Sequence, residues 1–97
     1  MEELKSKILE KLREVIDPEL GYDIVSLGEV EEVEIKGKKV YVKILPTTPL
    51  CPFLPFIYSD VVKAIEDLGL EPEVEIDFEN QWSIDRIDPE IREKLNI

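Results

Sequence analysis

The sequence predicts an α/β chain of the two-layer α+β kind. The order is α-β-β-α-β-α, with a three-stranded mixed sheet and helices on one face. Three observations predict it. Apolar residues recur at helical spacing in two segments, 2–16 and 57–68. They alternate with polar or charged residues in three others, around 30–35, 40–44 and 72–79. Each strand pattern is apolar on one side only, so one sheet face is wet and the other carries the helices.

The first helix is expected from Glu2 to about Ile16, with Leu4, Ile8, Leu12, Val15 and Ile16 on its apolar stripe. Glu2 and Glu3 fall in the first turn, where the helix dipole favours acids. Pro18 disfavours helical backbone at Asp17, so the helix stops there. "DPELGYD" then reads as a turn, with Asp17 as its cap and Gly21 releasing it.

The next two strands form a hairpin through "KGKK", where Gly37 supplies the left-handed backbone angle. Glu31-Glu32 interrupts the alternation that Val30 begins, which marks a bulge. The second helix carries Ile57, Val61, Ala64, Ile65 and Leu68 and stops at Gly69. Its crossover makes the third strand, "PEVEIDFE", parallel to the second. In that strand Val74, Ile76 and Phe78 face the core, and Glu73, Glu75, Asp77 and Glu79 face water. Asp88 and Pro89 open a short terminal helix as cap and first residue.

The chain has 97 residues, which suits one domain spanning 1–97. Hydrophobic residues make up 43%, too many for a disordered segment. The net charge is -11, from 12 basic and 23 acidic residues. Such a surface repels nucleic acid and anionic membranes, and attracts cations or basic partners. No apolar run approaches the ~20 residues of a membrane helix. The charged amphipathic start, "MEELKSKILEKL", is no secretory signal. A reduced, cytoplasmic setting is expected. Abundant Glu and Lys beside scarce Gln, Asn, Cys and Met point to a thermophile.

One short run, "PTTPLCPFLPF", holds the only cysteine, Cys51. It lies where the second strand gives way to the second helix. Pro52 suits the first helical position, which sets Cys51 at or beside the helix N-cap. There the free amides and the positive dipole end favour a thiolate. The alternative is a packed thiol, since free cysteine is among the most buried residue types. Phe53, Phe56 and Tyr58 cannot all enter so small a core, so an exposed apolar patch beside Cys51 is expected, a partner or dimer surface. Trp82 is expected in the core.

Several chemistries are excluded. The chain has no histidine, so Cys-His and Ser-His-Asp systems are absent. A lone cysteine allows neither dithiol exchange nor a closed zinc or permanent cluster site. One thiolate per chain, or two in a homodimer, suits a labile, transferable metal or cluster.

The run "VIDPELGYDIVSLGEV", then "TTPLCP", then a helix with "VVKAIEDLG", then Trp82, resembles the iron–sulfur cluster assembly domain family. The nearest type is the metal–sulfur cluster biosynthetic proteins of the SufT and PaaD kind. The resemblance implies a non-enzymatic accessory factor in cluster assembly or transfer to client apoproteins. It also implies assembly proteins and clients as partners, and transient iron or an iron–sulfur cluster instead of a permanent cofactor. Carried over by position, Cys51 is the functional thiol and metal ligand. Asp17, Glu19, Leu20, Thr47, Thr48 and Pro52 support it, and Leu27-Gly28 forms a further motif pair. The aromatic opening of the second helix, "FLPFIY", departs from the polar opening expected of the family, and Phe53 and Phe56 in it are read from the residues themselves as the partner patch. The alternative is a pure interaction adaptor in which Cys51 is structural.

Overall fold

The computed structural model describes residues 2–48 and 52–96. Helix α1 spans Glu2–Leu12 and is followed by two short strands, β1 (Ile16–Asp17) and β2 (Tyr22–Asp23). Strands β3 (Val30–Lys36) and β4 (Lys39–Ile44) form the hairpin. Helix α2 (Leu54–Asp67) crosses over to β5 (Glu71–Ile76). A 3₁₀ turn, Ile84–Arg86, precedes α3 (Pro89–Leu95).

The main sheet runs in the order β3-β4-β5. β4 is antiparallel to β3 and parallel to β5, as the crossover predicted. The register shifts between Val30 and Glu32, so the bulge falls at Glu31. Val40, Val42 and Ile44 of β4 are sealed against Ile8 and Leu12 of α1 and Ile57, Val61 and Ile65 of α2. Burying each such side chain contributes about 1.5–3 kcal/mol. The other face exposes Glu32, Glu34, Glu73 and Glu75, where the Tyr41 hydroxyl donates to Glu75 at 2.6 Å.

The caps follow their residues. Gly37 (φ +61°) makes the hairpin turn. Gly69 (φ +77°) ends α2: its amide and that of Leu70 return to the carbonyls of Glu66 and Ile65. The Asp88 side chain accepts the Glu90 amide at 3.0 Å and caps α3, with Pro89 first.

Four expectations are corrected. First, α1 ends at Leu12 instead of about Ile16. Short-range bonds from the Glu14 and Val15 amides to Lys11 and Leu12 tighten its last turn. The chain is then extended, because the Val15 carbonyl accepts the Ile24 amide and Ile16 pairs with Asp23. Ile16 is therefore exposed, not part of a helical stripe. Second, the alternation in β5 stops at Ile76. Asp77 turns inward and is buried, while Phe78 is 63% exposed. The cause is an Asx turn, in which Asp77 Oδ1 accepts the amides of Glu79 and Asn80.

Third, Pro52 is not the first residue of α2. The helix starts at Leu54, with Phe53 as N-cap and no side-chain cap bond. Pro55 decides this. Had the helix begun at Pro52, Pro55 would fall where the first intrahelical N–H is required and its ring would strike a carbonyl. Starting at Leu54 puts Pro55 second, where no N–H is needed, and the first helical bond runs from the Ile57 amide to the Phe53 carbonyl. The helix N-terminus thus lies beyond the position next to Cys51 that the sequence suggested. Fourth, Trp82 is half-buried instead of enclosed.

Candidate functional site

The site builds outward from the turn after β1. The Asp17 carbonyl accepts the Gly21 amide at 2.8 Å, and Asp17 Oδ1 accepts the Glu19 amide at 2.8 Å. Gly21 closes the turn at φ +76°, which a side chain rarely adopts. Asp17 is fully buried, Glu19 and Pro18 are exposed, and Leu20 is half-buried.

The next loop returns to the same place. The Glu29 amide donates to the Ile24 carbonyl at 2.9 Å, and the Glu29 carbonyl accepts the Leu45 amide at 2.7 Å. That second bond joins Glu29 to the end of β4, two residues before Thr47. The Glu29 side chain is fully buried, beside Asp17 and the Thr47 backbone. Burial, and then the hydrogen bond with Asp17, push its carboxyl up to about 9. Thr47 and Thr48 are half-buried, and Thr47 Oγ1 is enclosed without a hydrogen-bond partner among the described residues.

Glu31 and Asp77 form a second carboxyl pair. A hydrogen bond with Asp77 raises the Glu31 carboxyl above its ordinary range. The Asn80 side chain, helped by Glu31 and the turn amides, holds Asp77 well below the usual carboxylate range. Asp77, Phe78 and Trp82 line a cleft of about 270 Å³ together with Pro46, Thr47 and Thr48. The Trp82 indole N–H donates to the Leu27 carbonyl at 2.7 Å. Arg86 Nε donates to the Gly28 carbonyl at 2.8 Å, and the Asp88 amide to the Ser26 carbonyl at 2.8 Å. The Leu27-Gly28 pair is thus the seat on which the 82–88 segment rests.

The structure brings Asp17 and Thr47 together, and the residue between them is Glu29, which sequence reasoning missed. The available signal was a single acid set between Leu27-Gly28 and Val30, the first residue of a strand. Cys51 lies outside the described residues, as do Pro49 and Leu50. Pro52 is exposed and Phe53 half-buried. Phe56 is 65% exposed, with Tyr58 also exposed on the same helix.

The described residues offer oxygen donors only, and no three acids among them are grouped to hold a metal ion. Iron–sulfur cargo prefers thiolate. The chain's one thiol follows the threonine loop by three positions.

Comparisons with known proteins follow the same residues. A family model described as iron–sulfur cluster assembly protein matches residues 5–78, which include both motif segments. The Fe-S protein maturation auxiliary factor YitW of Bacillus subtilis is 37% identical over 89 residues, 89% of this chain and 87% of that protein. The iron-sulfur cluster carrier protein of Deinococcus radiodurans is 39% identical over 75 residues, which are 77% of this chain but 21% of that protein. The crystal structure of a domain of unknown function, DUF59, from Bacillus anthracis superposes with a TM-score of 0.91 at 33% identity. It covers 99% of this chain and 94% of that one. With the family match spanning most of its length, the chain belongs to the iron–sulfur cluster assembly protein family.

Proposed function

We propose that this protein is an accessory factor that helps assemble iron–sulfur clusters or pass them to client apoproteins, with Cys51 as a transient ligand of the cargo. One observation carries the reading. The Asp17 turn and the threonine loop leading to Cys51 meet at one buried residue, Glu29. Each half of the family motif therefore bears on the other. The auxiliary maturation factor and the carrier protein it resembles support the same role.

The division of labour follows from the chemistry. A single thiolate binds iron or a cluster weakly enough to release it. The chain lacks histidine, so no general base of that kind accompanies the thiol. Its task is holding and presenting, not turnover, and the acidic surface selects partners with basic faces. It acts in the cytoplasm as one domain. Among the described residues no helix is long and apolar enough to cross a membrane.

Anaerobic reconstitution with ferrous iron and sulfide tests the reading. Wild type is expected to develop a visible cluster spectrum that Cys51→Ser lacks. Identical featureless spectra from both would remove the cluster-holding role.

A second reading has its own observation. Phe56 is 65% exposed near the start of α2. On that reading the protein is an adaptor that docks partners through this face, and Cys51 is structural. Cys51→Ser would then leave partner capture intact.

A further inference from the structure

Asp17 and Glu29 are both fully buried. Asp17 Oδ1 takes the Glu19 amide, but Asp17 Oδ2 and both Glu29 carboxyl oxygens are enclosed without a close hydrogen bond among the described residues, the Thr47 backbone exerting only the smallest of the influences on Glu29. Two ionised carboxylates cannot be sealed side by side, since neither desolvation nor repulsion would be offset. One acid proton resolves the conflict. Asp17 Oδ1 already accepts the Glu19 amide, and burial acts chiefly against the Glu29 anion, so the proton is assigned to Glu29, its O–H directed to Asp17. Burial and Asp17 act in the same direction on Glu29. The Glu19 carboxylate adds to them, and the Thr47 backbone opposes.

We propose that Glu29 is a positioning residue: its carboxyl donates a hydrogen bond to Asp17 while its main chain holds the end of β4, and this pair of bonds sets the threonine loop, Thr47 and Thr48, which precedes Cys51 in the sequence. The inference rests on the reading of Cys51 as the functional thiol. Glu29 never touches the cargo; it fixes the distance between the two halves of the motif.

The variants are chosen to separate the bond from the bulk. Gln at 29 stays neutral and still donates an N–H to Asp17. Leu keeps the size and removes the donor. Asp17 Oδ2 is then buried without a partner, so the turn and the loop must move.

The test is the rate of iodoacetamide alkylation of Cys51 from pH 6 to 10 in wild type, Glu29→Gln and Glu29→Leu. At pH 7 the Gln variant should match wild type within about twofold, and the Leu variant should differ by about threefold or more. Above about pH 9, where Glu29 gives up its proton, wild type should depart from the Gln variant. A Leu variant that tracks wild type throughout overturns the proposal, and so does a Gln variant that deviates at pH 7 as far as Leu does. Should the Leu variant fail to fold, the carboxyl-carbon NMR shift of Glu29 in wild type at pH 7 decides: the acid form sustains the proposal and the ionised form overturns it. None of these readouts uses iron. They stand apart from the reconstitution experiment, whose failure would remove the cargo and leave the positioning role measurable.

Discussion

The Trp82 indole N–H donates to the Leu27 carbonyl at 2.7 Å, bridging 55 residues of sequence. Leu27 is fully buried, so its carbonyl lies in a water-poor region where a lost donor is felt. Trp82→Phe keeps an aromatic wall on the threonine cleft but removes that donor. It should cost about 1–2 kcal/mol, read as a lower urea midpoint. An unchanged midpoint would show that the carbonyl finds another partner.

The neighbouring position is tighter still. Gly28 has φ +71°, and a Cβ there would run into the Arg86 carbonyl oxygen. The clash is with backbone, so a rotamer change cannot relieve it. Gly28→Ala should cost about 1–3 kcal/mol from backbone strain alone, with the lost seat for the 82–88 segment in addition. Urea unfolding measures the cost, and amide exchange at Asp88 reports whether that segment has lifted. Wild-type values for both would contradict the contact.

The buried acid predicts a pH dependence with a definite sign. An unfolded glutamate ionises near 4.3, whereas folded Glu29 does so at about 9. Between those values the folded state binds the extra proton, so the stability that the acid form contributes is full below the lower value. It is lost as pH rises through the upper one. Glu29→Gln carries no such proton. Its stability relative to wild type should therefore rise from pH 5 to pH 9, by at least about 1 kcal/mol, or roughly 5 °C in Tm. A difference that stays constant with pH would mean Glu29 is ionised in the fold.

Exposure makes Phe56 a clean probe of the adaptor reading. At 65% exposed, Phe56→Asp should leave stability within about 0.5 kcal/mol of wild type. If that face docks partners, capture of a client apoprotein should fail in the same variant. Capture unaffected by the charge would place docking elsewhere.

Much of the architecture could be read from periodicity, and the reasons for the misreadings are local. The hairpin, the bulge at Glu31, the parallel crossover and the Gly69 and Asp88 caps each follow from one or two residues with a strong backbone preference. The errors came from residues serving two roles. Ile16 fits a helical stripe, but the two-residue pairing with Asp23 takes it first. Asp77 fits an alternating strand, yet its carboxylate captures two backbone amides and draws it inward. Pro52 and Pro55 both suit a helix start, and only the second satisfies the hydrogen-bond count of the first turn. In the site, Asp17 and Thr47 were legible as motif residues. Glu29 was not, because a buried acid declares itself only once its partner is close in space.

The central claim is that Cys51 is a thiol able to take up iron. The most direct measurement is its alkylation rate at neutral pH, under anaerobic conditions, with and without ferrous iron. Ferrous iron is expected to slow the reaction several-fold in wild type, and chelation to restore it. Equal rates in the presence and absence of iron would contradict the account.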